Sequence, residues 1–385
     1  MKFWTSSTAV LLAGLLASAP VASAHAQEKN PLRIGLLLSL SGPAAAFGIP
    51  ERDAVQVLVE DINKNGGVNG RKIDLAVYDD TTNPTEAARG ATKLIRQDKV
   101  VAIIGASTGS GSLAASPIAA REKVPILMPN ATISVTAREN AQFPYAFRSM
   151  SNDLVTTKKQ FDSAIAQGAK KVAIFHQEDA YGKDSYDYVQ KLAEAAKVEV
   201  VGVASAPLKS IEIAAQATKL RNANPDVVLM HVTAPALGAA FVRASQQVGL
   251  SAPIWGGMGL GQKAFVDGTG AAGNGVRLVV VGNWDDPSPR QAKLGEMLRA
   301  AGKSPVGFAE LLTSNGLIAI VEAAKLVEGE ITGPKLRDRL ETLCKVTTYS
   351  EGELCYSNED HDGWSSNALT VVEIRDGAFK RLEGY

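Results

Sequence analysis

One glycine-rich segment has the composition of an anion-binding site. Residues 105–112 read Gly-Ala-Ser-Thr-Gly-Ser-Gly-Ser and stand between a predicted buried strand and a helix predicted over Ser112–Glu122. Glycines leave backbone N–H groups accessible, and the hydroxyls of Ser107, Thr108 and Ser110 add donors. The N-terminus of a helix carries partial positive charge, which favours a carboxylate or a phosphate. The same residues also fit a plain helix cap with a tight turn. We favour the anion site.

Residues 129–132, which follow the next predicted strand, offer a second group of donors through Asn130 and Thr132. Taken alone, such a segment is typical of a turn. The carboxyl ends of neighbouring strands open on one crevice, however, so its position favours a shared site. The glycine-rich segment lacks the third glycine and the acidic ribose partner of a dinucleotide fingerprint. A small anion is therefore expected rather than a nucleotide cofactor.

Two aromatic residues occupy matching places after the first strand of each half of the chain. Phe47 follows the first predicted strand, and Tyr181 follows the strand predicted over Lys171–His176. Facing each other, they would enclose an apolar or aromatic ligand body. A lone aromatic such as Phe47 also serves commonly to pack a core.

The signals for catalysis are weak, and no enzyme, cofactor or metal site is predicted. Apart from His25, the histidines are His176, His231 and His361, and neither a G-x-S-x-G nor an H-E-x-x-H motif is present. The acidic pairs at 79–80 and 285–286 are typical of solvated caps.

The two cysteines, Cys344 and Cys355, are predicted to form a disulfide. An exported chain meets oxidising conditions, which permit this closure of a short loop. Two free thiols are the alternative. A metal pair is disfavoured because no C-x-x-C spacing exists and His361 is the only nearby histidine.

Strand and helix signals alternate along the chain and predict an α/β fold with two doubly wound lobes. In the first run the expected strands are Leu32–Leu38, Arg71–Tyr78, Val100–Gly105 and Val124–Met128, and the helices Arg52–Lys64, Glu86–Gln97 and Ser112–Glu122. In the second run the strands are Lys171–His176, Val198–Val203, Val227–His231, Pro253–Gly257 and Val276–Val281, and the helices Tyr186–Ala196, Ile211–Asn222 and Leu237–Val248. Repeated β-α-β units imply parallel sheets covered by helices on both faces.

The rest of the chain differs, because it has helices without strong strands between them. These helices are predicted at Gln291–Ala301, Phe308–Val327 and Lys335–Thr342. They most simply cover the flank of one lobe, which requires the chain to cross between lobes more than once. A final hairpin, Leu369–Ile374 and Phe379–Leu382, is expected at a sheet edge.

The N-terminus has the layout of a secretory signal peptide. Lys2 precedes an apolar run over Ala9–Ala19, and Ala24-His25-Ala26 is a small-residue cleavage pattern. The run is about half the ~20 residues that a spanning helix needs, which disfavours a membrane anchor. No cysteine lies near the predicted cleavage at Ala26, so we expect no lipid anchor. We expect a soluble periplasmic protein.

The charge balance bears on the partners of the chain, and its length bears on the number of domains. The chain has 40 basic and 40 acidic residues and no basic stripe, so nucleic acid is an unexpected partner. Its 385 residues suffice for two domains of ~150 residues each.

Several strings together resemble a known family. Residues 34–48 (with LSLSGPAAAFG), residues 61–71 (DIN followed by NGGVNGR) and residues 78–80 (YDD) are similar to the start of periplasmic solute-binding proteins of the leucine/isoleucine/valine-binding family of ABC importers. The similarity continues to Ser357–Gly363. It implies a type I periplasmic fold with three crossovers between lobes, no catalysis, capture of a ligand by lobe closure, and delivery to permease and ATPase subunits by a monomer.

The resemblance also implies lobe boundaries and a site. The N-terminal lobe would comprise residues 31–149 and 283–356, and the C-terminal lobe residues 150–282 and 357–385. The ligand carboxylate would lie at residues 107–110 and 130–132, between walls formed by Phe47 and Tyr181.

One departure from the family bears on the ligand. Amino-acid-binding members place an acidic residue after the strand that corresponds to Pro253–Gly257, where this chain has Met258. A further family aromatic is replaced by Thr233. A buried ammonium without a partner would cost several kcal/mol. We therefore predict an aromatic or short aliphatic acid without an α-ammonium group. Alternatively, a neighbouring acid replaces the missing partner and the ligand is a branched-chain or other amino acid; the candidates are Glu178, Asp179 and Asp285.

Two other functions remain as alternatives. The same fold serves as a ligand-sensing extracytoplasmic receptor domain. An exported hydrolase would need a nucleophile with a positioned histidine, which the sequence does not show.

Overall fold

The computed structural model describes residues 1–4, 30–285, 287–350, 352–364, 369–382 and 384–385. The predicted signal peptide, with its cleavage point at Ala26, lies outside the described residues except for positions 1–4. Within the described ranges, no helix has the length and apolar character needed to cross a membrane.

The first lobe is built on a five-stranded parallel sheet in the order β2-β1-β3-β4-β5. Its strands are β1 Leu32–Leu38, β2 Ile73–Asp79, β3 Ala102–Gly105, β4 Ile126–Met128 and β5 Ala146–Arg148. The helices between them are α1 Ala45–Lys64, α2 Pro84–Arg96 and α3 Gly109–Arg121. Residues 34 and 36–38 of β1 are fully buried, because helices cover both faces of the sheet.

The second lobe is built on a seven-stranded sheet. Its elements follow as α4 Asp153–Ile165, β6 Lys171–Gln177, α5 Ala180–Ala196, β7 Glu199–Ala206, α6 Ala214–Asn222, β8 Val227–His231, α7 Pro235–Val248, β9 Ile254–Gly256, α8 Lys263–Thr269 and β10 Arg277–Val280. Strands β6 to β10 run parallel. The two predicted doubly wound lobes are therefore confirmed.

The chain then returns to the first lobe. Helices α9 Pro289–Ala300, α10 Ala309–Lys325 and α11 Gly333–Leu340 precede a short hairpin of β11 Val346–Thr347 and β12 Glu353–Leu354. Helix α10 packs against α1 and β3, and its buried Leu317 and Ile320 belong to the same apolar core as Leu36. The prediction that these helices cover one lobe is confirmed.

The last strands lie in the second lobe. Strands β13 Thr370–Arg375 and β14 Ala378–Arg381 form an antiparallel hairpin, and β13 pairs with β10, so the sheet order is β14-β13-β10-β9-β8-β6-β7. The chain thus passes between the two sheets three times, after β5, after β10 and after β12. The lobe boundaries predicted at 149/150, 282/283 and 356/357 fall in these connections and stay predictions.

Several element boundaries differ from the prediction. Helix α1 begins at Ala45 rather than at Arg52, although Pro50 lies inside it. Its first turns are held by packing: Phe47 and Gly48 are buried, and a Cβ atom on Gly48 would approach the Ser39 carbonyl oxygen to 2.2 Å. Strand β5, helices α4 and α8 and the β11–β12 hairpin were not predicted from the sequence.

The predicted disulfide joins Cys344 and Cys355, which are separated by 11 positions. Closing a loop of this length contributes about 2–3 kcal/mol to the free energy of unfolding in the chain-entropy account. We expect replacement of both cysteines by serine to lower that free energy by this amount in urea denaturation. A reductant should destabilise the natural chain equally and leave the serine variant unchanged. Equal stability of both proteins without reductant would contradict the expectation.

Candidate ligand-binding site

A cavity lies between the two lobes, where the carboxyl ends of β3 and β4 face those of β6, β8 and β9. It contains about 480 Å³ of atom-free space, with its open mouth included. Its walls are Ala44, Phe47, Ser107, Thr108, Gly109, Pro129, Asn130, Ala131, Thr132, Met150, Gln177, Asp179, Tyr181, Thr233, Met258, Gly259, Phe308 and Leu312. Clefts between two domains are a preferred place for small-molecule sites.

The glycine-rich segment lies at the N-terminus of α3, as its composition predicts. Thr108 caps the helix, and its hydroxyl accepts a hydrogen bond from the Gly111 N–H at 3.2 Å. Ser107, Thr108 and Gly109 line the cavity, whereas Ser110, in the first turn of α3, lies outside the lining. The N-terminus of α3, with its partial positive charge, therefore adjoins the cavity.

The hydroxyl of Ser107 belongs to a buried hydrogen-bond chain that the sequence analysis missed. Its Oγ accepts from the Ser39 N–H at 3.0 Å and donates to Oε2 of Glu51 at 2.5 Å. Glu51 lies on α1 and is fully buried. Burial raises the pKa of its carboxyl to about 8.

Residues 130–132 reach the cavity from the end of β4. The Asn130 amide donates to the Ala106 carbonyl at 3.2 Å and to the Ser112 hydroxyl at 2.8 Å, which fixes this segment against the glycine-rich segment. Thr132 is fully buried, and its hydroxyl oxygen has no hydrogen-bond partner among the described residues. A buried polar atom of this kind is costly unless a ligand or water satisfies it.

Arg148, at the end of β5, holds the same segment from behind. Its guanidinium donates to the Asn130 carbonyl at 2.6 Å, to the Thr136 hydroxyl at 2.7 Å and to the Asp362 carboxylate at 2.7 Å. The Arg148 side chain is completely buried. Burial alone would raise the pKa of Asp362, but the Arg148 charge and the hydrogen bonds lower it below its usual value.

The aromatic wall is larger than the predicted pair. Phe47 and Tyr181 both line the cavity, one from each lobe. Phe47 packs edge to face on Phe308, with ring centroids 5.4 Å apart. Phe308 and Leu312, which belong to the start of α10, and Met150, in the first connection between lobes, complete the apolar surface. The sequence analysis did not predict these three residues.

The second lobe contributes a polar group around Gln177 at the end of β6. Its side-chain carbonyl accepts from the Thr233 N–H at 2.7 Å and from the Thr233 hydroxyl at 3.0 Å. Its amide donates to the Asp179 carboxylate at 2.7 Å. Met258, in a short turn after β9, lies beside them. Thr233 and Met258 thus occupy the predicted places in the lining.

The described histidines lie outside the lining of the cavity. His231 is fully buried, which lowers its pKa to about 3, and His361 is stacked between Phe143 and Phe147. In the part of the chain that the structure describes, no group of three or more His, Cys, Asp or Glu side chains is placed to hold a metal ion.

A profile described as periplasmic binding protein matches residues 31–378. The chain belongs to the periplasmic binding protein family.

Relatives of this periplasmic binding protein include the Leu/Ile/Val-binding protein BraC3 of Rhizobium johnstonii, which is 28% identical over 95% of this chain and 98% of its own length. Two solved structures share the fold. The branched-chain amino acid transporter substrate-binding protein of Streptococcus pneumoniae, in complex with isoleucine, has a TM-score of 0.80, 23% identity and coverage of 91% and 98% of the two chains. A solute-binding protein of an ABC transporter of Rhodopseudomonas palustris, in complex with benzoate, has a TM-score of 0.79, 22% identity and coverage of 91% and 95%. The predicted type I periplasmic fold and the family resemblance are confirmed.

The acids proposed to replace a missing ammonium partner lie in different places in this periplasmic binding protein. Asp179 lines the cavity, and its carboxylate also caps α5 by accepting from the Gly182 N–H at 3.0 Å. Burial raises the pKa of Asp179 above its usual value. Glu178 is exposed and accepts from the Ser205 hydroxyl, and Asp285 is exposed and accepts from the Phe379 N–H. The structure thus leaves Asp179 as the candidate within the lining.

Proposed function

We propose that this chain is the periplasmic solute-binding component of an ABC transporter and captures a small ligand that carries a carboxylate. The observation that carries the proposal is the unpartnered Thr132 hydroxyl, buried beside Ser107, Thr108 and the N-terminus of α3. Uncharged donors and a helix terminus form a site for a single negative charge.

The walls suggest how the rest of the ligand is held. Phe47, Phe308 and Leu312 of the first lobe face Tyr181 and Met258 of the second. An apolar ligand body placed between them loses contact with water when the lobes rotate together. Hinge closure of two lobes around a ligand is a characteristic motion of periplasmic binding proteins. We propose that the closed monomer delivers the ligand to permease and ATPase subunits.

For the ligand class, we propose an aromatic or short aliphatic acid without an α-ammonium group. The support is Met258, an apolar residue on the second-lobe wall. The family resemblance implies that amino-acid-binding members have an acidic residue at this position to pair with the ligand ammonium. The R. palustris protein, which has the same fold and was solved in complex with benzoate, supports this class. Asp179 supports the alternative, an amino acid such as the isoleucine of the S. pneumoniae protein.

A thermal-shift panel tests both proposals. The panel holds benzoate, short aliphatic acids, dicarboxylic acids, L-leucine and L-isoleucine. A ligand at a hundredfold excess over its dissociation constant should stabilise the chain by about 2.7 kcal/mol. A response to leucine or isoleucine without any response to the acids would overturn the ligand class. If an amino acid responds, Asp179→Asn should abolish that response and leave any benzoate response intact.

The hydroxyl of Thr132 gives a direct test of the site. Thr132→Val keeps the shape of the side chain and removes a hydrogen bond to a charged group, which contributes roughly 1.5–3 kcal/mol. We expect calorimetry to show about tenfold to hundredfold weaker binding of the best acid in the panel. Ser107→Ala and Thr108→Ala should weaken binding by the same range.

Thr92→Val is the matched control, because the Thr92 hydroxyl donates to the Ala88 carbonyl within α2, away from the cavity. Unchanged affinity in all three site variants would exclude these residues from the ligand site.

As an alternative, the chain is a ligand-sensing receptor domain. Such a domain would use the same site and would differ from a transport component in its protein partners. Deletion of the gene should abolish uptake of the labelled ligand if the chain serves transport. Normal uptake with a lost transcriptional response would favour sensing.

A further inference from the structure

The contact between Glu51 and Ser107 places an ionisable group one hydrogen bond away from the proposed anion site. Ser107 lines the cavity, and Glu51 lies behind it in the first lobe. The second carboxyl oxygen of Glu51, Oε1, is buried and has no hydrogen-bond partner among the described residues. A fully buried carboxylate with one unsatisfied oxygen is a costly arrangement.

The hydroxyl of Ser107 has one proton to donate and two lone pairs with which to accept. One lone pair accepts the Ser39 N–H. While Glu51 is ionised, the proton of Ser107 points to Glu51, so that the side chain presents only a lone pair to the cavity. A ligand carboxylate would then meet an acceptor instead of a donor.

Protonation of Glu51 reverses this hydrogen bond. A neutral carboxyl donates its own proton to the Ser107 Oγ, which then accepts from both Glu51 and the Ser39 N–H. The proton of Ser107 becomes free to turn toward the cavity. The same side chain is thereby converted from an acceptor into a donor for the ligand, without movement of the backbone.

The charged groups that act on Glu51 from neighbouring elements are both acidic. They are Asp80, just after β2, and Glu310, in the first turn of α10. Asp80 accepts from the Ser39 hydroxyl at 2.6 Å, and Glu310 accepts from the Val306 N–H at 2.6 Å. Burial has the largest effect and raises the pKa of Glu51, and the two acidic charges raise it further. The hydrogen bond with Ser107 lowers it, and the resulting pKa is about 8. The proton is therefore exchanged near neutral pH.

We propose that Glu51 is a positioning residue that must carry a proton for Ser107 to donate to the ligand, so that capture of a carboxylate is linked to proton uptake at Glu51. This inference rests on the proposed capture of a carboxylate. Glu51 itself does not touch the ligand and acts through Ser107.

The direction of the pH effect follows from linkage. In the free protein Glu51 loses its proton as the pH rises through about 8, whereas the ligand-bound form retains it. Affinity is therefore constant on the acid side of this value and falls on the basic side. The expected loss is about tenfold between pH 7 and pH 9, with close to one proton taken up per ligand at pH 9.

The first test needs no ligand. Infrared difference spectra of the free protein between pH 6 and pH 9.5 should contain a protonated-carboxyl C=O band that disappears on the basic side. In Glu51→Gln the component of this band that is lost near pH 8 should be missing, while Glu310→Gln, which removes another buried carboxyl with a lower pKa of about 7, should retain it. Identical titrating bands in the natural chain and in Glu51→Gln would overturn the inference.

The second test uses benzoate and L-isoleucine as probes in calorimetry, at pH 7 and pH 9, in two buffers that differ in ionisation enthalpy. The natural chain should bind about tenfold more weakly at pH 9 and take up a proton. Glu51→Gln, whose amide N–H donates permanently to the Ser107 Oγ, should keep its affinity at pH 9 without proton uptake. Glu310→Gln should keep the linkage.

The possible results distinguish a failure of the role of Glu51 from a failure of the proposed carboxylate capture. Affinity that is equal at pH 7 and pH 9 in the natural chain would overturn the role of Glu51 and leave carboxylate capture standing. Failure of both probes to bind at either pH would count against the proposed ligand classes, and the infrared test would still decide whether Glu51 carries the proton. Ser107→Ala should weaken binding about tenfold to hundredfold and remove its pH dependence.

Discussion

Replacing Arg148 with methionine is expected to lower the free energy of unfolding by about 3–5 kcal/mol. Arg148 is completely buried, and its removal leaves the Asp362 carboxylate without its positive partner. The Asn130 carbonyl and the Thr136 hydroxyl lose a donor in the same step. Breaking one side of a buried ion pair is costly because the remaining charge stays in a medium of low polarity. Urea denaturation monitored by circular dichroism measures the loss.

An exposed ion pair provides the matched control for Arg148. Arg33 contacts Asp74 at 3.2 Å, and both side chains are about half exposed, at 49% and 52%. Arg33→Met should change the free energy of unfolding by less than about 1 kcal/mol. Adding Asp362→Asn to Arg148→Met should recover part of the loss, since the orphaned charge disappears. An Arg148→Met variant as stable as Arg33→Met would contradict the role of the buried pair.

Replacing Phe308 with alanine should also cost about 3–5 kcal/mol of the free energy of unfolding. The side chain is 1% exposed and packs edge to face on Phe47. The deletion leaves a void that the neighbouring side chains fill only in part. Because Phe308 also lines the cavity, we expect the folded variant to bind its ligand more weakly as well.

The variant Phe241→Ala separates the loss of stability from the loss of ligand affinity. Phe241 is fully buried in the second lobe, stacked on Phe175 with centroids 4.0 Å apart, and lies outside the cavity. Its replacement should destabilise the chain by a similar amount without changing affinity in calorimetry below the unfolding transition. Equal affinities for Phe308→Ala and Phe241→Ala would show that Phe308 serves only the core.

Some elements could be predicted from the sequence because their residues follow a regular apolar pattern, and others could not. Strands such as β1 and β8 are mainly apolar and were predicted within a residue of their ends. Helix α4 was missed because its buried face contains Thr156, Thr157 and Gln160, which break the apolar periodicity. Gln160 is tolerated there because its amide donates to the Trp255 carbonyl at 2.7 Å, a partner from a distant part of the chain.

Parts of the candidate site were likewise predictable from the sequence, and other parts were not. The glycine-rich segment and residues 130–132 were predictable because strand ends of a parallel sheet meet at one edge. Phe308 and Leu312 were not predictable, because the chain brings α10 back to the first lobe after passing through the second. Glu51 was missed for the same reason: a glutamate on an amphipathic helix is usually exposed, and here the elements packed around α1 bury it.

The return of α10 to the first sheet has a consequence for the order in which the protein is made. The sheet of β1 to β5 is translated early, yet one of its faces is covered by a helix that begins at Ala309. The second sheet, in turn, is completed by strands that begin at Thr370. Neither half can therefore reach its native packing on a ribosome until nearly the whole polypeptide has emerged. Contacts of such wide sequence separation form slowly, which leaves a period in which the nascent chain is still open to a chaperone or an export machine.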